Sequence, residues 1–162
     1  MRVAAGLLIL VICSAWGFRR SLLLKRRCTL LRELRLLVEQ YSIEISCTAP
    51  TLAELAGNSG GEFGRLLCEC SGSETDIRRA WSNAVDRLSA APGCGGEEVS
   101  LLRELGRELG TCPAESQLAL LKLYSARFDK LISAAEKSAE QQGRMYRSGG
   151  VLAGLGAAVI LL

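Results

Sequence analysis

Two uncharged apolar runs, one at each end of the chain, constrain the fold more than any other feature. They cover residues 3–18 and 148–162. As helices of sixteen and fifteen residues they would extend about 22–24 Å, at about 1.5 Å per residue, against a hydrocarbon core of about 30 Å. Local thinning of the bilayer can accommodate such short helices. We therefore predict two transmembrane segments, residues 1–18 and 148–162, rather than buried core helices.

Basic residues flank both runs on the side that faces the middle of the chain. They are Arg19, Arg20, Lys25, Arg26 and Arg27 after the first run, and Lys130, Lys137, Arg144 and Arg147 before the second. Because basic flanks remain in the cytoplasm, we predict a cytoplasmic region at residues 19–147 and both termini on the outer face. A cleaved signal peptide or lipidation at Cys13 is the alternative, but the basic flank is typical of a stop-transfer segment.

The middle region has helical periodicity throughout. One apolar stripe recurs at three- and four-residue steps, with no helix breaker between residues 19 and 49; it comprises Leu30, Leu34, Leu37, Tyr41 and Ile45. Strand-like alternation is absent and β-branched residues are few. The pattern predicts an all-α fold, a cytoplasmic antiparallel helical bundle whose first and last long helices continue into the two membrane segments.

Glycine, proline and polar residues divide the middle region into helices. We predict a short helix after Pro50, turns at 57–61 and 71–74, and an N-cap at Thr75. Residues 91–96 form the clearest break, Gly110 ends the helix that follows it, and Pro113 begins the last helix.

Composition argues against several classes of function. The chain has no His, and its seven Cys form no C-x-x-C pair, so we expect no metal site and interpret the cysteines as small buried thiols in a reducing compartment. A near-neutral middle with few aromatic residues is not typical of nucleic-acid binding, and no phosphate-binding loop occurs. We expect no cofactor and no enzymatic activity. A tethered enzyme with an unrecognised carboxylate site remains an alternative.

Seven residues of the middle region are candidates for structural or binding roles. Trp81 is interpreted as a core anchor, Gly106 as a close helix crossing and Gly110 as a helix C-cap. A charged face is the candidate partner-binding surface, although a simply solvated face is the alternative for each of its members; these are Arg78, Arg79, Arg103 and Arg107.

The second apolar run contains small residues spaced for helix packing in lipid. The motif Gly150-x-x-x-Gly154 shares roughly one face with Gly149, Ala153 and Ala157. Small side chains at this spacing let two helix backbones approach closely, so we predict that the anchor also packs against another membrane helix.

Five motifs carry a resemblance to one protein family. They are Trp16-Gly17-Phe18 at the end of the first run, "LLRELRLLVEQYSIEIS" followed by "APTLAELA", Ala80-Trp81, "LLRELGRELG", and the terminal "RMYRSGGVLAGLGAAVILL". With this layout the chain resembles the stage III sporulation protein AB family of endospore-forming bacteria along nearly its whole length.

The resemblance implies a subunit of a secretion-like channel complex between mother cell and forespore. It implies a cytoplasmic domain similar to that of the type II secretion F platform protein, located at the mother-cell membrane around the forespore. The expected partners are other subunits of the complex, including a secretion-type ATPase, together with the lipid bilayer and a second copy of the chain. A simple membrane-organising bundle is the weaker alternative, since fold-level analogy does not establish function.

Overall fold

Every secondary-structure element of the described backbone is an α-helix, which confirms the predicted all-α class. The structure is a computed structural model that describes the backbone of residues 2–48, 51–74 and 76–161, and the side chains of residues 15–47, 51, 53–74 and 76–141. Six helices follow one another within these ranges: α1 (Arg2–Thr48), α2 (Leu52–Gly57), α3 (Gly61–Ser73), α4 (Ile77–Ser89), α5 (Gly96–Glu108) and α6 (Ala114–Leu161).

The chain divides into two compact units. One comprises Met1–Cys28 with Ala134–Leu162, and the other is the continuous segment Thr29–Ser133. α1 and α6 each contribute residues to both units, whereas α2 to α5 belong to the second. In the first unit Ser21 is buried, while Trp16 and Phe18 are 72% and 55% exposed.

In the part of the chain whose side chains are described, no helix is both long and apolar enough to cross a membrane. The side chains of the predicted transmembrane segments 1–18 and 148–162 are described only at residues 15–18, so the side chains on which these two predictions depend lie outside the described residues.

The core of the Thr29–Ser133 unit is built from one apolar face of each helix. All five residues of the predicted α1 stripe are at most 5% exposed. Each of the following helices adds buried side chains at helical spacing, so that a shared apolar core replaces the water-exposed faces of isolated helices. Those that are fully buried and large include Phe63 and Leu67 in α3, Leu88 in α4, Leu102 and Leu105 in α5, and Leu121, Tyr124 and Phe128 in α6.

The helix ends are stabilised by caps, several of them formed by residues that the sequence analysis does not single out. Thr51 and Glu54 form a reciprocal capping box at the start of α2. α3 begins after Gly60, which has no side chain to cap it, and the Glu33 carboxylate of α1 accepts the backbone N–H of Glu62 at 3.0 Å instead. A distant acid thus caps this helix and joins α1 to α3.

Two predictions about the α3–α4 connection are wrong. The predicted turn at 71–74 is helical as far as Ser73, whose hydroxyl donates to the Cys70 carbonyl at 3.0 Å within the last turn of α3. The N-cap of α4 is Asp76, whose carboxylate accepts the Arg78 backbone N–H at 3.0 Å. Thr75, the predicted cap, lies outside the described residues.

Candidate functional site

Trp81 of α4 forms the floor of the candidate site. Its side chain is 6% exposed, and its indole N–H donates to the Leu102 carbonyl of α5 at 2.9 Å. The ring meets Phe63 of α3 edge-on, with centroids 5.0 Å apart, and a tilted Tyr41 of α1 at 6.4 Å. The polar edge of the indole is hydrogen-bonded, and the ring packs against aromatic neighbours. Trp81 of α4 is therefore held in one position by contacts with α1, α3 and α5.

Gly106 of α5 allows α4 and α5 to approach at this point. A Cβ atom added to Gly106 would overlap the Trp81 indole ring, so any larger residue would force the two helices apart. The close helix crossing predicted at Gly106 therefore lies against the Trp81 ring. Gly110 follows the end of α5 with a φ of +76°, a left-handed conformation that favours glycine after a helix.

A cleft of about 150 Å³ opens above this crossing. Three of the four arginines predicted as a partner-binding face line it, together with the Trp81 ring, one hydroxyl and one glycine; the lining residues are Arg78, Trp81, Ser82, Arg103, Gly106 and Arg107. Arg79 is not among them. Its side chain is 77% exposed and lies 3.9 Å from Asp76, its i−3 neighbour.

The three arginines of the cleft differ in their interaction partners. Arg103 is paired with Asp86 of α4 at 2.8 Å. Arg78 donates to the Arg107 carbonyl at 3.3 Å, in the last turn of α5, where backbone carbonyls lack helical partners. Within the described residues, neither the Arg78 nor the Arg107 guanidinium has a carboxylate at ion-pair distance. The cleft therefore contains two guanidinium groups without an ion-pair partner among the described residues.

The face of α5 that contacts α6 is charge-balanced. Arg127 pairs with Glu104 at 3.1 Å and stacks over the Tyr124 ring at 5.3 Å. The Tyr124 hydroxyl donates to the Glu108 carboxylate at 3.0 Å. Burial raises the pKa of Tyr124 to about 12, and the hydrogen bond and negative charge of Glu108 add to that effect.

The groups that line the cleft are suited to binding an anionic group. Guanidinium groups supply several N–H donors in a planar fork that matches a carboxylate or phosphate, and they stack on aromatic rings. The lining contains no carboxylate or thiol that could act as a base or nucleophile. Ser82 completes the lining with a hydroxyl group. It does not stand out in the sequence, and only its position one turn after Arg78 could have indicated it.

The remaining candidate residues lie elsewhere. Gly149, Gly150, Ala153, Gly154 and Ala157 are on α6, outside the residues whose side chains are described. No disulfide joins the six cysteines in the described part of the chain, and no acid or cysteine cluster there could hold a metal ion. Burial is correctly predicted for Cys28 and Cys70 but wrong for three exposed thiols, those of Cys47, Cys68 and Cys112.

Comparison with known proteins identifies a family. No curated protein and no solved structure matches the chain significantly. The model of the family described as stage III sporulation protein AB matches residues 2–162, and so covers both apolar runs and all six helices. Family membership implies a role in sporulation. The chain therefore belongs to the stage III sporulation protein AB family.

Proposed function

We propose that this protein is a non-enzymatic platform anchored in the mother-cell membrane around the forespore, where it links a cytoplasmic ATPase to the membrane channel of a secretion-like complex. The observation that carries the proposal is the family match over residues 2–162. The resemblance to the type II secretion F platform protein supports the choice of a platform by analogy. Other subunits of the complex, the bilayer and a second copy of the chain are the expected partners.

Two sequence runs and their flanks support the membrane anchors. α1 and α6 have helical backbone through both runs, up to Arg2 and Leu161. Trp16 and Phe18 are exposed at the end of the first run, directly before the exposed Arg19 and Arg20. Aromatic side chains followed by basic ones are typical of a membrane–water interface. This arrangement is consistent with a cytoplasmic Thr29–Ser133 unit and termini on the outer face.

The small residues of the second run support a packing role for the anchor. The Gly150-x-x-x-Gly154 motif would let α6 approach another membrane helix closely, either in this chain or in another subunit. A platform needs such lateral contacts because it must hold its position beside a channel.

The Thr29–Ser133 unit supplies features that suit a docking platform. It has a buried apolar core of its own and an arginine-lined cleft whose floor is fixed by Trp81. Both of the long helices that bear the apolar runs contribute residues to this unit. The unit that would bind a partner is therefore covalently continuous with both apolar runs through α1 and α6.

Binding of the purified ATPase to oriented membrane vesicles tests the proposal. Full-length protein in inverted vesicles, with the cytoplasmic face outward, should sediment the ATPase, and vesicles without the protein should not. Right-side-out vesicles provide the matched control for orientation and should not bind. Absence of binding to inverted vesicles would contradict the ATPase link, and binding to right-side-out vesicles would contradict the topology.

A further inference from the structure

We propose that the cleft lined by Arg78, Arg103 and Arg107 binds the acidic side chains of a partner protein, from a segment in which Asp or Glu residues are closely spaced. The proposal rests on the proposed function in assigning a docking role to this unit, and it adds the binding site and the chemistry of the partner.

Two of the three arginine charges in the cleft lack a matching carboxylate among the residues that the structure describes. The acids near the cleft already bind other groups: Asp86 pairs with Arg103, Glu104 with Arg127, and Glu108 accepts from Tyr124. In the part of the chain that the structure describes, no carboxylate lies at ion-pair distance from Arg78 or Arg107. A carboxylate entering from outside would form charge-assisted hydrogen bonds with both guanidinium groups.

The spacing of the three arginines brings like charges close together. Arg103 and Arg107 are four residues apart on α5, where like charges face each other and weaken a helix. Arg78 adds a third guanidinium from α4, held toward α5 by its bond to the Arg107 carbonyl. An anion placed among the three converts their mutual repulsion into attraction. Arg103 would then be shared between Asp86 and the incoming carboxylate.

The floor and the size of the cleft suit the end of an acidic side chain. Trp81 is buried and lines the cleft together with the arginines, so one side of the site is a rigid aromatic surface. A volume of about 150 Å³ is similar to that of a protein cavity that holds one benzene molecule. Such a space holds the ends of one or two side chains and is too small for a helix.

The rim of the cleft favours a protein over a polyanion or an anionic bilayer. Asp76, which accepts the Arg78 backbone N–H, and Asp86, which pairs with Arg103, are exposed beside the arginines. A nucleic acid or a charged membrane surface presents continuous negative charge and would be repelled by these acids. A protein segment can place its acidic side chains in the cleft and neutral or basic ones against the rim.

Site-specific photo-crosslinking of the full-length protein in sporulating cells tests the proposal. p-Benzoylphenylalanine replaces Ser82 in the cleft, or, as the control, Asn83 on another face of the same helix. We expect a crosslink from position 82 only, mapped by mass spectrometry to a partner segment rich in Asp or Glu. No crosslink, a crosslink to a segment without acids, or a crosslink to lipid or nucleic acid would overturn the proposal.

Charge reversal separates the cleft from general surface charge. Arg78→Glu combined with Arg107→Glu should reduce the position-82 crosslink about tenfold or more, while Arg79→Glu, which lies outside the cleft, should leave it within about twofold. Circular dichroism checks that each variant is folded. Changing the mapped acids of the partner to Lys should restore the crosslink of the double variant. Equal loss in both variants, or no rescue, would overturn the proposal.

The identity of the crosslinked protein distinguishes this proposal from the proposed function. An acidic segment of the ATPase would support both. An acidic segment of a different subunit would support the cleft while contradicting direct docking of the ATPase there. Binding of the ATPase to inverted vesicles that is unaffected by the double reversal, together with no crosslink, would overturn the cleft and leave the platform standing.

Discussion

α5 has two contact faces, and they differ in how completely the chain satisfies them. Toward α6, Arg127 meets Glu104 and Tyr124 meets Glu108, so each charged or polar group has a partner. Toward α4, Trp81 and Gly106 fit together closely, but the arginines above them outnumber the acids that pair with them. At the α6 contact, the charged and polar groups named above thus find their partners within this unit. At the α4 contact the side chains are closely packed, but Arg78 and Arg107 have no ion-pair partner among the described residues.

The difference shows that packing and electrostatics have separate roles at the cleft. Buried aromatic packing contributes stability regardless of any partner, because it removes apolar area from water. Exposed arginines contribute little to stability, and they weaken it slightly where like charges are four residues apart. Substitutions at the floor should therefore affect folding, and substitutions at the wall should affect binding.

The largest effect is expected for Trp81→Ala, which removes the floor. The change leaves a cavity beside Phe63 and removes the indole hydrogen bond to the Leu102 carbonyl, and should lower the free energy of unfolding by about 3–5 kcal/mol. Chemical denaturation of the full-length protein in detergent, followed by circular dichroism, measures it. Trp16→Ala is the matched control, since Trp16 is 72% exposed and its loss should change stability by less than about 0.5 kcal/mol. A similar, small loss for both variants would mean that Trp81 is not an anchor.

A medium effect is expected for Tyr124→Phe at the α6 contact. Removing the hydroxyl takes away its hydrogen bond to Glu108 and should lower stability by about 1 kcal/mol at neutral pH. Thermal unfolding of the full-length protein in detergent measures the loss. A variant as stable as wild type would mean that this contact does not depend on the Tyr124 hydroxyl.

The same variant should change the alkaline unfolding profile. The pKa of Tyr124 is raised to about 12 in the folded protein and is about 10 in an unfolded chain. Between these values the unfolded chain loses the proton first, so wild-type stability falls as the pH rises from 10 to 12, whereas below pH 10 the contribution of this group is fully present and does not vary with pH. Tyr124→Phe should flatten the decline. Tyr41, whose pKa burial also raises to about 12, still titrates in the variant, so part of the decline should remain. Parallel curves would contradict the prediction.

Helical periodicity was sufficient to predict the class of fold and most of the core. The stripe from Leu30 to Ile45 and the apolar faces of the later helices are local patterns, and burial follows directly from them. The helix ends were harder. Ser71-Gly72-Ser73 has the composition of a turn, but α3 continues through it because Ser73 bonds back to Cys70, which is buried. The cap supplied to α3 by Glu33 joins residues 29 apart and has no local signature.

The candidate site was predictable in its residue types but not in its arrangement. Arg103 and Arg107 share a helix face by their spacing alone. That Arg78 joins them, and that Arg79 does not, depends on how α4 is rotated and shifted against α5. The pairing of Arg103 with Asp86 depends on the same register. A single sequence contains no information on such a register beyond the small residue, Gly106, that permits the crossing.

The smallest effects are expected for two single substitutions, one at each contact face of α5. Together they compare the two faces directly. Arg127→Gln breaks the pair with Glu104 and should lower stability by at most about 0.5 kcal/mol, because both side chains are about half exposed. Arg107→Gln breaks no ion pair of the described residues. It relieves repulsion from Arg103 and should leave stability unchanged or raise it by about 0.2–0.5 kcal/mol.

The sign of the difference between these two variants is more informative than its size. Both changes remove one positive charge from an exposed helix face, so effects of net charge cancel when their unfolding midpoints are compared in the same buffer. Raising the salt concentration should shrink the gap, since screening weakens both the attraction at Glu104 and the repulsion at Arg103. If Arg107→Gln instead costs as much as Arg127→Gln, then the cleft arginine already has a stabilising partner within the chain, and the two faces of α5 do not differ in the way proposed.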